Sequence, residues 1–228
     1  MLPPTRLWPI SQAGLIDCWP LVEQSGTRFS LTGRNDLTDV ATVTGAAGLF
    51  GYASQFTRAN SEYLSHVNNA DLVLGDFDFS YLIWSRADSA GAGDRHLLSK
   101  RAVGSVECTL VRGSNTNNIL WGVTPDGATL ASVTDIGTYT ANEWHLTMAW
   151  HDAANNFIGL RVDRNPPVTL AHSSGVFVGT SDFDIGATST GGNTYDGRMV
   201  DASFWKRLLS EQEYMAIYNN GLGRRLVG

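Results

Sequence analysis

The sequence contains little charge, few cysteines and no long apolar run, and each absence narrows the possible functions. Charged residues make up 17% of the chain, and the formal net charge is −6. Basic residues adjoin only in pairs such as Lys206-Arg207 and Arg224-Arg225, whereas nucleic-acid binding depends on clustered cations. No apolar stretch approaches the length of a transmembrane helix. We therefore expect neither a nucleic-acid partner nor a membrane partner.

The amino-terminal segment lacks the features of a signal peptide. It has no continuous apolar core, and four prolines fall within the first 20 residues, which interrupts any helix there. No Asn-x-Ser/Thr sequon occurs in the sequence. The two cysteines, Cys18 and Cys108, could form a disulfide, but two buried free thiols are the simpler interpretation without an export signal. The sequence thus predicts a chain with no visible export route.

Short runs of β-branched and aromatic residues recur along the chain and predict many strands. Turn signals such as Asp126-Gly127 and Gly191-Gly192-Asn193 separate them, a spacing typical of an antiparallel sandwich and not of alternating strands and helices. With 43% hydrophobic residues, 228 residues suffice for one core. The predicted strands are 15–21, 52–56, 62–66, 77–86, 95–100, 106–112, 119–123, 129–133, 144–151, 157–162, 168–171, 183–185 and 199–205.

The strand predicted over 144–151 has the clearest alternation of apolar and polar side chains. In a strand, successive side chains point to opposite faces. We expect one set to enter the core and the other to face water or a partner. The first set is Trp144, Leu146, Met148 and Trp150; the second is His145, Thr147, Ala149 and His151. The two histidines are therefore interpreted as surface residues and not as metal ligands.

The region 195–221 predicts a strand followed by one short helix. Ser210 is placed as the helix N-cap and Glu213 completes a capping box. Leu209 and Tyr214 are spaced to form a hydrophobic staple across the cap. Such a short helix is unstable alone, so it must pack on a larger structure. The apolar helix face carries Tyr214, Ile217 and Tyr218, and Asn219-Asn220-Gly221 ends the helix.

This region also resembles the closing segment of laminin G-like domains in the concanavalin A-like lectin/glucanase superfamily. The residues that carry the resemblance are Gly197, Met199, Phe204, Leu209, Ser210, Glu213 and Tyr218. Similar segments upstream are residues 14–21 with Ser25-Gly26-Thr27, 79–86, Leu98-Ser99-Lys100, 143–146 and Ile185-Gly186. The resemblance covers about residues 14–221. Residues 162–168 depart from it, because two prolines there exclude the usual short Asn-Gly-type hairpin turn.

The resemblance implies an all-β fold: a two-sheet antiparallel jelly-roll β-sandwich, concanavalin A-like, with one short C-terminal helix. We predict three parts of the chain. Residues 1–13 form an N-terminal arm, residues 14–221 form the sandwich, and residues 222–228 form a C-terminal tail.

Catalytic patterns are missing from the sequence. Related hydrolases carry a Glu-x-Asp-x-Glu strand whose carboxylates flank the scissile bond. The glutamates here, 23, 62, 107, 143, 211 and 213, never have that spacing. Ser173-Ser174-Gly175 lacks the leading glycine of a nucleophile elbow. We therefore predict a protein that is not an enzyme.

Calcium binding is an open alternative, because laminin G-like domains sometimes hold Ca²⁺ at the rim of the sandwich. Carboxylates at suitable spacing are Asp71, Asp76 and Asp78 in one stretch, and Asp182 and Asp184 in another. Solvated loop acids are the favoured interpretation. The sequence predicts no metal site and no cofactor.

Sugar binding requires exposed aromatic rings beside polar groups. Most tryptophans occupy strand patterns and are expected in the core. The candidates near loops are Trp121, Tyr139 and Tyr195, with Asn193 as a polar neighbour. Packing at the edge of the core is the alternative interpretation of the three rings.

Three functions follow from these patterns. The first is a non-enzymatic structural or adhesion subunit, either a phage capsid decoration protein or a protein associated with the tail or fibre. A virion location, outside the cell after lysis, needs no signal peptide. In this hypothesis the arm residues Leu7, Trp8 and Ile10 clasp a protein neighbour in a homo-oligomer, and surface glycans are possible partners. The alternatives are a stand-alone glycan-binding lectin module and, last, a glucanase- or lyase-type enzyme.

Overall fold

The computed structural model describes residues 10–89, 93–113, 117–137, 139–189 and 191–226, and it contains two antiparallel sheets and one short α-helix. The strands are β1 Leu15–Trp19, β2 Thr38–Val40, β3 Thr44–Gly48, β4 Gly51–Phe56, β5 Tyr63–His66, β6 Phe79–Ala87, β7 Arg95–Ala102, β8 Ser105–Arg112, β9 Ile119–Val123, β10 Ala131–Thr134, β11 His145–Asp152, β12 Phe157–Val162, β13 Val168–Ala171, β14 Phe183–Ile185 and β15 Gly197–Trp205. The helix α1 is Glu211–Tyr218, and 3-10 turns occupy Arg58–Asn60 and Asn219–Gly221. The predicted sandwich with a C-terminal helix is confirmed.

The two sheets differ in size. The eight-stranded sheet, which we call the back sheet, runs β13-β12-β11-β6-β15-β4-β3, with β1 also paired to β15. The seven-stranded sheet, the front sheet, runs β10-β9-β8-β7-β14-β5-β2. Strand β15 pairs with both β4 and β1 because a bulge between Val200 and Ser203 divides it. Asp201 occupies the bulge with φ of 50°, a left-handed conformation typical of such irregularities.

The inner core lies between the sheets and receives alternate side chains from both. Tyr81 of β6 stacks on Phe204 of β15 with ring centroids 4.6 Å apart. It also meets Trp121 of the front sheet edge-on at 6.0 Å. All three rings are fully buried. Burial of these large aromatic surfaces holds the two sheets together.

A second apolar layer covers the outer face of the back sheet. Helix α1 contributes Tyr214 and Ile217, and the two ends of the described chain contribute Ile10 and Leu226. Leu226 also donates its backbone N–H to Asp201 at 3.0 Å. Ile10 packs on its own chain here, and the hypothesis that the arm clasps a neighbour stays a prediction. Leu7 and Trp8 lie outside the described residues, and the division into arm, sandwich and tail stays a prediction.

This second layer changes the interpretation of β11. Leu146 and Met148 belong to the outer layer, where Trp144 and Trp150 pack against it. Ala149 belongs to the inner core. The predicted solvent-facing set is buried, with His145 5%, Thr147 0% and His151 0% exposed. That prediction was wrong because both faces of the strand are covered.

The local chemistry of the C-terminal region is as expected. The Ser210 side chain accepts from the Glu213 backbone, and the Glu213 side chain accepts from the Ser210 backbone. Asn219 caps the other end in a left-handed conformation. Cys18 and Cys108 are buried free thiols. Within the described ranges, no helix has the length and apolarity required to cross a membrane.

Candidate functional site

The outer face of the front sheet carries small and polar side chains. Because side chains alternate between the two faces of a strand, the neighbours of the core residues Leu98, Leu110 and Trp121 point outward. The strand register aligns Ser132, Gly122, Thr109, Ser99, Asp184, Ser65 and Thr38 in one row across the seven strands. The sheet therefore presents a polar surface where the back sheet presents an apolar one.

A bulge in β7 adds a histidine to this surface. The register shifts between His96 and Leu98, so the extra residue Leu97 turns inward and both leucines enter the core. His96 pairs with Val111, which in turn pairs with Leu120. These three residues form a second outward-facing row beside the first.

The two rows form the floor of a cavity of about 140 Å³. Its lining residues are Asp94, His96, Arg101, Thr109, Val111, Gly113, Leu120, Leu130 and Asn193. Gly122 allows Leu130 to approach the sheet, since a Cβ at Gly122 would lie 2.7 Å from Leu130 Cδ1. An adjoining cavity of about 450 Å³ shares Arg101 and extends to Val106, Gly127, Thr188 and Ser189. We call the two together the Arg101 groove; the larger cavity falls within the ~300–1,000 Å³ typical of ligand pockets.

His96 is the unusual group in the Arg101 groove. It is 2% exposed, and neither ring nitrogen has a hydrogen-bond partner in the part of the chain that the structure describes. Burial lowers the pKa of His96 to about 4 and the positive charge of Arg101 adds to this effect, whereas the Asn193 backbone and Asp94 oppose it. The imidazole is therefore neutral at pH 7 and offers one N–H donor and one acceptor nitrogen.

Thr109 gives the groove a second buried polar atom. It is 1% exposed, and its Oγ1 has no partner among the described residues. A buried hydroxyl without a partner costs free energy, as does an unpaired imidazole. A ligand that supplies donors and acceptors to Thr109 and His96 would recover that cost.

Thr188, Ser189 and Asn193 form one wall of the groove, and hydrogen bonds hold residues 187–189 and Asn193 to the sheet. Ser99 donates its hydroxyl to the Ala187 carbonyl at 2.9 Å, and the Ser189 hydroxyl donates to Asp184 Oδ2 at 3.1 Å. The backbone N–H of His96 donates to the Asn193 carbonyl at 3.0 Å. Burial raises the pKa of Asp184 to about 6, against the lowering effect of its hydroxyl donors. The wall is thus tied to a carboxylate that carries its charge at neutral pH.

The predicted aromatic platform is not exposed. Trp121 and Tyr195 are 0% and Tyr139 is 1% exposed. The Trp121 indole N–H donates to the Trp150 carbonyl at 3.1 Å, and the hydroxyls of Tyr139 and Tyr195 are 2.8 Å apart. The expectation that these rings present a face to a sugar is wrong, because all three lie in the inner core. Asn193 is exposed and lines the Arg101 groove.

The acids considered for calcium have protein partners of their own. Asp71 pairs with Arg34 at 3.0 Å, Asp78 accepts from the Ala153 backbone at 2.9 Å, and Asp182 accepts from the Asn68 backbone at 3.1 Å. Across the described ranges, no three His, Cys, Asp or Glu side chains form a group that could hold a metal ion.

The two stacked sheets, with the helix after the last strand, define a concanavalin A-like β-sandwich. The model of a laminin G family (Laminin_G_3) of the concanavalin A-like lectin/glucanases superfamily matches residues 58–213. The chain belongs to this family. No curated protein sequence matches it significantly.

Solved structures with the same fold have low sequence identity to the chain. The binding domain of Paraclostridial Mosquitocidal Protein 1 has a TM-score of 0.72 at 10% identity; the match covers 90% of this chain and 52% of that one. The chain thus spans about half of that binding domain. Domain 4 of AbnA, a GH43 extracellular arabinanase from Geobacillus stearothermophilus, was solved in complex with arabinotriose. It has a TM-score of 0.70 at 13% identity, and the match covers 93% of this chain and 99% of that domain. The Ruminococcus gnavus IT-sialidase CBM40, bound to α2,6 sialyllactose, has a TM-score of 0.52 at 15% identity, and the match covers 61% of this chain and 82% of that one.

Proposed function

We propose that the protein is a lectin-like binding module that holds a glycan in the Arg101 groove without transforming it. One observation carries the proposal: His96 and Thr109 place buried polar atoms that have no partner among the described residues at the floor of one cavity. Sugar hydroxyls both donate and accept hydrogen bonds, so they match a neutral imidazole and a threonine hydroxyl. Arg101 and Asn193 add polar groups at the rim.

The solved structures of similar fold support the binding class. One was solved with arabinotriose and another with sialyllactose, and the mosquitocidal structure is a binding domain. Their ligands differ in charge, so the similarity favours carbohydrate binding in general and does not select the sugar. A fold alone does not determine function, and the groove residues are therefore the subject of the test.

The partners of three of the six glutamates support a role without hydrolysis. A glycosidase needs two carboxyl groups directed at the substrate. Glu107 is instead fully buried against Lys100 at 3.2 Å, and Glu62 accepts from the Thr57 backbone at 2.6 Å. Glu213 caps the helix and pairs with Arg207 at 2.7 Å. We propose that incubation with a bound glycan releases no new reducing ends.

The test is a glycan array followed by calorimetry on the best ligand. Thr109→Val removes the groove hydroxyl at nearly constant volume, and we expect it to weaken binding about tenfold, the size expected for one lost hydrogen bond. Thr147→Val is the matched control, because Thr147 is also a buried threonine whose Oγ1 lacks a described partner, but it faces the inner core. Equal affinities of both variants, or no glycan bound by the intact protein, would reject the proposal.

The virion hypothesis stays a prediction, as do the location outside the cell after lysis and the homo-oligomer with protein neighbours. Glycan binding is compatible with an adhesion subunit of a particle. Native mass spectrometry of the purified chain tests the oligomer: a monomer at micromolar concentration would contradict it.

A further inference from the structure

A second cavity with ligand chemistry lies on the back sheet, on the opposite side of the molecule from the Arg101 groove. Trp150 of β11 pairs with Gly159 of β12. A Cβ at Gly159 would lie 2.0 Å from Trp150 Cζ2, so the six-membered ring of the indole rests on the glycine backbone. Trp150 is half-buried, and part of its ring remains accessible. The glycine is thus what allows a tryptophan to lie against the sheet here.

The accessible part of Trp150 forms one side of a cavity of about 210 Å³. Met148, Leu208, Leu209 and Pro167 supply apolar walls. Phe157, two residues from Gly159 on the same face of β12, is 39% exposed and extends the aromatic surface beyond the cavity. Such a surface suits the apolar face of a ring-shaped ligand.

The charged groups of this cavity are one arginine and one glutamate that pair with each other. Arg161 is 7% exposed, lies over the Tyr214 ring at 4.9 Å and donates to Glu211 Oε1 at 3.1 Å. The Glu211 side chain is 75% exposed. The positive charge is therefore buried and neutralised, while a carboxylate stands in solvent at the rim. Carboxylate oxygens accept hydrogen bonds, and they repel anions.

From this geometry we propose that the Trp150 cavity is a second ligand site, which takes a neutral sugar ring. The C–H face of the ring stacks on the indole, and neighbouring hydroxyls donate to the Glu211 carboxylate. A ring bearing its own carboxylate is disfavoured, because Glu211 is the charged group that the cavity turns toward solvent. The site is independent of the Arg101 groove, because the two cavities lie on different sheets and share no residue.

The experiment is NMR detection of the Trp150 indole N–H in the full chain, assigned by its loss in Trp150→Phe. Methyl pyranosides of glucose, galactose and arabinose are titrated to tens of millimolar, beside methyl glucuronide. We expect the Trp150 signal to shift with at least one neutral sugar and not with the uronide. Leu208→Phe fills the cavity without removing the indole and should abolish the shift. Glu211→Gln should weaken it at least threefold, whereas Glu143→Gln, at an exposed site elsewhere, should leave it unchanged.

Three results would overturn this second site. The first is a Trp150 signal that responds to none of the neutral sugars. The second is a shift that persists in Leu208→Phe. The third is a response to the uronide equal to that of the neutral sugars. Thr109→Val, which changes only the Arg101 groove, separates the two sites: it should leave the Trp150 titration unchanged even if the groove binds nothing.

Discussion

His145 and Asp163 form a close pair, with Nδ1 of the imidazole 2.6 Å from Oδ2 of the carboxylate. The other ring nitrogen, Nε2, lies 3.0 Å from the Thr140 carbonyl oxygen. Burial alone would lower the pKa of His145, but the hydrogen bond and charge of Asp163, with the Thr140 carbonyl, outweigh burial and raise it. The pair therefore stabilises the imidazolium form, in which both nitrogens donate, relative to the neutral ring.

The first prediction concerns the pH dependence of stability. Because the pKa of folded His145 is raised above the unfolded value of about 6.5, its contribution is complete below that pH and is lost as pH rises through the folded pKa. Asp163→Asn should flatten this dependence. Asp163 has φ of 51°, which asparagine tolerates, so the backbone is kept. Urea unfolding between pH 5.5 and 8.5 checks it; equal pH slopes in the two proteins would contradict the assignment.

The second prediction concerns Asp184 under the groove wall. Burial raises its pKa from 3.8 to about 6. A carboxyl whose pKa is raised by folding favours the native state when protonated, so stability should fall between pH 4 and pH 6. Asp184→Asn removes that loss and should stabilise the protein at pH 7.5 by at most about 3 kcal/mol, the equivalent of two pKa units. The measurement is the difference in unfolding free energy between Asp184→Asn and the unchanged protein. If that difference is the same at pH 7.5 and at pH 4, the hydroxyls of Ser189 and Ser65 compensate the buried carboxylate fully and the prediction is wrong.

The third prediction separates the buried tyrosines from ligand binding. Tyr195→Phe removes one hydroxyl from the pair with Tyr139, which keeps its hydrogen bond to Ser85 at 3.0 Å. The free energy of unfolding should fall by about 1 kcal/mol. Glycan affinity, measured by calorimetry, should not change. If Tyr195→Phe weakened glycan binding without changing the free energy of unfolding, Tyr195 would be a binding residue and this prediction would be wrong.

The fourth prediction tests the docking of the carboxyl-terminal end. Leu226 is 1% exposed in the outer layer, whereas Leu222 is 74% exposed. Leu226→Ala should lower the free energy of unfolding by about 2–5 kcal/mol. Leu222→Ala, the matched control, should change it by less than about 0.5 kcal/mol. Thermal and urea unfolding give both values, and similar losses in the two variants would contradict the packing.

The parts of the fold with local chemical signals were predictable from the sequence. The capping box at Ser210 and Glu213 depends on residues three apart, and the strand positions depend on short patterns. The interior face of β11 was not predictable, because the side chains that cover its outer face come from Ile10, α1 and Leu226, far away in sequence. The alternation of side chains assigns residues to the two faces of a strand, but it does not tell which face meets the inner core when both faces are buried.

Two short strands were missed for a related reason. β2 and β3, Thr38–Val40 and Thr44–Gly48, have weak strand patterns of their own. The buried side chain of Arg28 joins the loop between β2 and β3 to β4: it donates to the Val43 carbonyl at 2.7 Å and to Ser54 Oγ at 2.8 Å. A buried guanidinium that joins segments distant in sequence leaves no periodic signal.

The groove was only partly accessible to prediction. Asn193 was found because it stands in a glycine-rich turn, but His96 was missed. Its signal is the adjacent pair Leu97-Leu98, which cannot both enter the core from a regular strand; a bulge resolves the conflict and turns His96 outward. The predictions for Trp121, Tyr139 and Tyr195 were wrong because a position near a loop in the sequence does not determine whether a ring is exposed or buried.

Ile10 and Leu226 both lie on the helix-covered side of the molecule, and the Arg101 groove opens on the other. A surface or carrier held on the side of Ile10 and Leu226 would therefore sit behind the back sheet. A protein immobilised in that way would present the Arg101 groove to the solution, whereas the attached surface would block access to the Trp150 cavity.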